Sequence, residues 1–220
     1  MTDSDTALTL DVVSDVMCPW CFIGKRRLET ALAGRDPGAP AVEVHWRPFQ
    51  LDATIPEGGM DRRDYLERKF GADRADSVYD RVREAGAEEG IAFAFDRIER
   101  SPNTLNAHRV IRWAGEDGRQ DAVVERLFSL YFLEGANLSD PAVLAQAARD
   151  CGLDADRVSK LLASDADKDA VREEISLAQR MGVTGVPCFI VAGRYAVMGA
   201  QPPEVIADAL SRAEADRTDD

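Results

Sequence analysis

Two cysteines three residues apart, Cys18-Pro19-Trp20-Cys21, stand where an alternating segment gives way to a helical one, and that placement limits the chain more than any other feature. From Thr6 to Ser14, Leu8, Leu10 and Val12 recur at every second position, which predicts a strand ending at the Ser14-Asp15 turn. Beyond it Pro19 takes a first-turn position, where its missing N–H loses no hydrogen bond, and a helix is predicted to end near Gly34. This spacing puts both sulfurs on one face of the first turn. At the helix N-terminus, Cys18 lies beside unpaired N–H groups and the positive end of the helix dipole, which favour its thiolate. Cys18 is thus the candidate nucleophile, and Cys21, one turn inside, the candidate resolving thiol that attacks a mixed disulfide.

Simpler readings of the pair are a zinc half-site or two core cysteines. A zinc clip needs a second ligand pair, and the chain has no other C-x-x-C and no H-x(3–5)-H, so no metal is expected. Four cysteines in 220 residues are too few for a disulfide scaffold, so their spacing matters more than their number. Lysine and arginine total 27 against 40 acids, a net charge of −13, which argues against a nucleic-acid or anionic-membrane surface. No apolar run approaches the roughly 20 residues that cross a bilayer. Met1 to Thr6 carries two aspartates and neither a basic nor an apolar leader pattern, so a cytoplasmic location is expected.

The rest of the chain reads in three parts. Val42, Val44 and Trp46 alternate with polar residues in a second strand closed by Pro48. Between Asp61 and Asp165 no strand-like alternation competes with amphipathic helices, expected over Asp61 to Phe70, Arg74 to Glu89, Asn103 to Ala114, Asp121 to Glu134, Pro141 to Cys151 and Asp156 to Ala163. A further helix, Asp167 to Met181, leads through Gly182-Val183-Thr184-Gly185-Val186-Pro187 into a strand from Cys188 to Val191. A turn at Ala192-Gly193-Arg194 folds that strand back into Tyr195 to Met198. A last helix is expected from Pro203 to Ala213, followed by a frayed acidic tail. The division is 1–60 with 165–213 as one α/β domain, 61–164 as an inserted helical subdomain and 214–220 as a flexible tail. Pro187, between a glycine-rich turn and a strand, is a candidate cis residue; an ordinary trans proline opening a strand is the alternative.

Cys18-Pro19-Trp20-Cys21-Phe22-Ile23-Gly24-Lys25, Ser101-Pro102-Asn103-Thr104 with Ala107-His108-Arg109, Gly182-Val183-Thr184-Gly185-Val186-Pro187 and Gly199-Ala200-Gln201 stand in that order along most of the chain. Together they resemble the DsbA-like thioredoxin-fold oxidoreductases of the FrnE subgroup. The resemblance implies a thioredoxin-like α/β fold with a large all-helical insertion and a catalytic Cys18, Cys21 and cis-Pro187. It implies that Val186 offers its backbone to an extended substrate, that Pro19, Trp20, Asn103, His108 and Cys188 lie on the substrate side, and that the helix carrying His108 faces the dithiol. Relatives include the kappa-class glutathione transferases and hydroxychromene carboxylate isomerases, which bind glutathione and carry serine at the nucleophile position. Cysteine at that position in this chain favours dithiol exchange. The segment after Cys188 holds no cysteine, so the second shuttle pair of some FrnE-like proteins is not expected.

The leading expectation is a thiol–disulfide oxidoreductase acting on protein or small-molecule disulfides as a monomer or homodimer. It requires no cofactor, with glutathione as redox partner or co-substrate, and has no nucleic-acid or membrane partner. A glutathione-dependent transferase or isomerase is the second reading, and a redox-inert binding module the third. Pro19-Trp20 lacks the imidazole of the Cys-Pro-His-Cys site, so a potential between roughly −270 and −120 mV is expected. Asp15 is expected to oppose the thiolate, and Lys25 and Arg26 to be solvated helix charges. Trp20 presents an apolar face to a peptide or to the insert. Cys188 is either a third redox thiol or a small buried strand residue, and Cys151 a packing residue. His45 reads as structural, and Trp46, Phe49, Trp113, Phe128 and Phe132 as core aromatics.

Overall fold

The computed structural model describes residues 7–72 and 79–218. Thr6 as the opening of the first strand, the leader reading of residues 1–6, the start of the helix expected from Arg74, and the last two residues of the tail lie outside them.

Strand β1 (Leu8–Ser14) leads into helix α1 (Pro19–Ala33) and strand β2 (Val42–Pro48). β1 is central. It pairs in parallel with β2 from Leu8↔Val42 to Ser14↔Pro48, and antiparallel with β5 (Cys188–Val191), which in turn pairs with β6 (Tyr195–Met198). The sheet order is β2-β1-β5-β6, a strand–helix–strand unit joined to a hairpin, and α9 (Pro203–Thr218) closes the chain. This is a thioredoxin-like α/β fold.

β1 buries Leu8, Leu10 and Val12 on one face, while on the other Thr9 is exposed, Asp11 is half-buried and only Val13 is covered. Leu8, Leu10 and Val12 pack with Phe22 and Ile23 of α1, Phe189 and Val191 of β5 and Leu210 of α9. Val13 points the other way, to Phe49, Ala178, Val183 and Cys188. The helices between β2 and β5 are α2 (Arg62–Phe70), α3 (Asp80–Glu88), α4 (Leu105–Glu116), α5 (Gln120–Phe132), α6 (Pro141–Asp150), α7 (Ala155–Leu162) and α8 (Lys168–Arg180). Helices α2 to α7 share one continuous apolar core with the sheet, and α8 packs Ala178 into the smaller cluster around Val13 on the other face. Phe22 of α1 stacks on Phe128 of α5, with ring centroids 5.1 Å apart and planes 16° apart. Trp46, Phe49, Trp113, Phe128 and Phe132 are all buried, as expected of core aromatics.

Three expectations are corrected. First, the insert is not purely helical: β3 (Met60–Asp61) pairs antiparallel with β4 (Arg100–Ser101). Two residues are too short for alternation to register in a sequence. The pairing needs Gly59 at φ +76°, where a Cβ would stand 2.9 Å from the Ser101 carbonyl oxygen. Second, α9 continues to Thr218, past Ala213, because its last turns are tied back. Glu214 pairs with Arg35, Asp216 accepts from the Tyr195 hydroxyl at 2.7 Å, and Arg217 donates to the Ala7 carbonyl at 3.0 Å. Third, Lys25 is not solvated: its side chain is 2% exposed, with Nζ 3.2 Å from Asp121 and from Glu125 of α5 and paired with Glu29. Burial pulls its pKa down, but the three carboxylates outweigh burial and leave it raised. Arg26 also turns to α5, binding Glu125 and Glu29.

Gly24 is the tightest point on α1. A Cβ there would stand 2.9 Å from Pro187 Cγ and 3.2 Å from Phe189 Cζ, and a proline ring cannot rotate away. Gly24→Ala should destabilise the fold by about 1–3 kcal/mol, although alanine is the better helix former. Urea unfolding checks this; an unchanged midpoint would mean that the helix and the Pro187 loop separate freely.

Candidate active site

Three segments meet at the N-terminus of α1. The register of Val13 opposite Cys188 sets the end of β1 beside the start of β5, so the residues after β1 and those before β5 are brought together. Cys18 is the N-cap of α1, with φ −91° and ψ 112°, and Pro19 follows in the first turn. The Cys18 side chain makes no capping bond, which leaves its sulfur beside the open end of the helix. Instead the thiol donates to the Val186 carbonyl at 3.6 Å. The Val186–Pro187 peptide is cis, and the Pro187 ring lies against Gly24, one turn beyond Cys21.

Cys18 and Cys21 are free thiols. They are more covered than an N-terminal position suggests, at 4% and 1% exposed, with the Val186 carbonyl set against the Cys18 sulfur. Burial is the main reason that the Cys21 thiol is pushed well up, and the neighbouring Cys18 adds to it. The Ser14 hydroxyl and the Asp15 backbone N–H act in the opposite sense, favouring the ionised sulfur.

Asp15, in the turn before Cys18, is fully buried. Oδ2 accepts from the Leu51 N–H at 2.7 Å; Oδ1 lies 3.5 Å from the Met17 N–H and 3.4 Å from His108 Nε2. The same Nε2 is 2.8 Å from the Phe49 carbonyl oxygen, which can only accept, so that nitrogen carries the proton. His108 therefore ties α4 to the segment after β2 and to the turn before Cys18.

The other sequence-selected residues separate into those at the helix mouth and those away from it. Pro19 is buried; Trp20 and Val186 are half-buried against the core. Asn103 braces a loop: its side-chain NH2 donates to the Ile55 carbonyl at 2.7 Å, and its side-chain oxygen accepts from the Leu105 N–H at 3.0 Å. Cys188 follows Pro187 directly, yet strand alternation turns it to the face opposite α1, among Val13, Phe49, Ala178 and Val183. Burial raises its thiol, and its surroundings are those of a packing residue. Cys151 caps the C-terminus of α6 and is half-buried. Sequence reading missed Ser14 and Tyr65. Tyr65 of α2 is buried, and its phenol is raised by burial, then by Asp52 and Asp15, with a smaller contribution from Cys18. Only its place on the buried face of a helix marks Tyr65, and nothing marks Ser14.

Among the described residues no cluster of three or more His, Cys, Asp or Glu is placed to hold a metal ion, and no helix is long and apolar enough to cross a membrane. A buried dithiol at a helix N-terminus, capped by a cis-proline loop, is an arrangement suited to two-electron exchange between sulfurs.

Comparison with known proteins agrees. The crystal structure of a probable DsbA oxidoreductase from Streptomyces coelicolor superposes with a TM-score of 0.85 at 34% identity, covering 94% of this chain and 89% of that one. A 2-hydroxychromene-2-carboxylate isomerase superposes with a TM-score of 0.72 at 16% identity, over 96% of this chain and 98% of that one. The cytosolic disulfide reductase DsbM of Pseudomonas aeruginosa, in its structure with GSH, gives a TM-score of 0.60 at 19% identity, over 94% and 96% of the two chains. These last two are likenesses of fold. Residues 9–211 match the family described as the DSBA-like thioredoxin domain, and with nearly the whole chain inside that match, this protein belongs to that family of redox enzymes.

Proposed function

We propose that this chain is a thiol–disulfide oxidoreductase of the FrnE-like kind, working through Cys18 and Cys21 on protein or small-molecule disulfides. The observation that carries the reading is the Cys18 sulfur at the open N-terminus of α1, 3.6 Å from the Val186 carbonyl, with Cys21 one turn behind it. The Cys18 thiolate displaces one sulfur of the substrate disulfide and forms a mixed disulfide. Cys21 then loses its proton and attacks the Cys18 sulfur, and the second substrate sulfur leaves as thiolate and takes up a proton. Two electrons pass from the dithiol to the substrate; the reverse sequence oxidises a dithiol substrate. Movement of the Cys18 sulfur to a substrate frees the Val186 carbonyl, which becomes available to an extended partner backbone. We place the activity in the cytoplasm with no resident cofactor, and glutathione serves as redox partner. Glutathione-dependent transfer or isomerisation rests on likeness of fold and lacks the serine that marks those relatives.

Cys21→Ser separates the readings. With a chromogenic aromatic disulfide, the reduced wild type should release two thiol equivalents and end with a Cys18–Cys21 disulfide. Cys21→Ser should stop at one, leaving an adduct on Cys18 visible by mass. Catalytic transfer to an electrophile without an adduct would favour the transferase, and neither adduct nor ring closure would leave only a binding module.

The raised Cys21 thiol gives a second test. Since burial is its main cause, the shift should persist in Cys18→Ala. Alkylation of Cys21 in that variant should then climb with pH and reach its midpoint above the ordinary thiol range, which sits near about 8.5. A midpoint at or below that range would mean that the interior does not hold the proton on Cys21.

A further inference from the structure

Ser14 is the last residue of β1 and is buried, and among the described residues its Oγ is the one buried side-chain nitrogen or oxygen without a hydrogen-bond partner. An unmet buried hydroxyl costs stability, so its presence needs a reason. Strand alternation turns its side chain, with those of Leu8, Leu10 and Val12, to the face that packs with Cys21, Phe22 and Ile23 of α1, and there the Ser14 hydroxyl and the Asp15 backbone N–H favour the anionic Cys21 sulfur against the burial that pushes the thiol up. A neutral thiol is a weak acceptor and a thiolate a strong one, so the hydroxyl can go unpaired at rest and be satisfied only when Cys21 ionises.

We propose that the Ser14 hydroxyl, together with the backbone N–H of Asp15, is a preset donor pair for the thiolate that forms on Cys21 as it resolves the mixed disulfide. The inference rests on the oxidoreductase reading and adds a catalytic residue to it. Both donors are fixed before reaction, Ser14 at the end of a central strand and Asp15 in the turn whose carbonyl accepts from the Cys18 N–H at 2.9 Å. Donors aimed at a charge that exists only during reaction lower the barrier without stabilising the resting state.

Other charged groups at this end of α1 have partners of their own. The Asp15 carboxylate meets the Leu51 N–H and His108 of α4. Lys25, further along α1, is held by Glu29, Asp121 and Glu125. Tyr65 of α2 accepts from Lys69 at 2.7 Å. Removing the Ser14 hydroxyl leaves all of these intact.

Ser14→Ala tests this in the full chain. In stopped flow with the chromogenic aromatic disulfide, the first released equivalent reports attack by Cys18 and the second reports attack by Cys21. Ser14→Ala should keep the first phase, slow the second about tenfold, the worth of roughly one hydrogen bond to a charged group, and move the pH midpoint of the second phase upward. Its melting temperature should stay level or rise, since the hydroxyl has no resting partner to lose. Ser14→Thr, which restores a hydroxyl, should recover the second phase. An unchanged second phase in Ser14→Ala overturns the inference, as does a lower melting temperature with both phases slowed, which marks a packing role. If the wild type never releases a second equivalent, the oxidoreductase reading falls as well. A wild type that releases two while Ser14→Ala matches it removes only the role of Ser14.

Discussion

The pairing of Val13 with Cys188 joins two distant segments of the chain, and by it the Cys18 sulfur comes within 3.6 Å of the carbonyl of Val186, 168 residues away in sequence. Side chains on a strand alternate with period two, so a slip of one residue between β1 and β5 would turn Phe189 off α1 and bring Cys188 onto it. The slip is opposed from several directions. β2 runs along the whole of β1, the face of β1 with Leu8, Leu10 and Val12 is buried in the core, and the Pro187 ring fits only where α1 has Gly24. Helix N-terminus, cis peptide and dithiol are thus placed by one strand and not by separate devices.

The charges around the sulfurs follow from burial. A bare carboxylate at about 4 Å in an effective dielectric near 20 would disfavour a thiolate by roughly 4 kcal/mol, more than a helix N-terminus supplies in return. Asp15 stands three residues before Cys18 and is fully buried, but backbone donors and His108 meet its oxygens. Through those bonds the carboxylate ties the turn before Cys18 to the chain after β2. On α1 the buried ammonium of Lys25 has the opposite sign and is likewise matched, by carboxylates reaching in from α5 and from its own helix. In both cases the buried charge, matched by its partners, holds two elements together.

What can be read from the sequence is local. Alternation in Leu8, Leu10 and Val12, proline in the first helical turn and the glycine-rich approach to Pro187 each carry their meaning within a few residues, and strand, helix and cis bond appear where expected. Lys25 departs from expectation because helix charges usually face water, and the acids that bury it lie on α5, 96 residues away in the case of Asp121. The end of α9 departs for the same reason: Arg35, Tyr195 and the Ala7 carbonyl hold it from elsewhere in the chain. At the site, the two cysteines and Pro187 are legible as a motif. The face taken by Cys188 and the bare hydroxyl of Ser14 are not, because both depend on which layers cover β1 and β5.

The insert has a mechanical consequence for the dithiol. α1 lies between the sheet and α5, gripped on one side by Phe189 and Pro187 and on the other by the Phe22–Phe128 stack and the Lys25 and Arg26 ion pairs. Forming a disulfide draws two sulfurs to about 2.05 Å, and a helix held this firmly cannot tilt as a body to allow it. The adjustment has to fall within the first turn. There Pro19 has no N–H to lose, and one bond, from the Cys21 N–H to the Cys18 carbonyl at 3.0 Å, spans the two cysteines. The Cys18–Cys21 ring therefore closes by adjustment of this first turn while the rest of the helix keeps the packing that holds Pro187 in place.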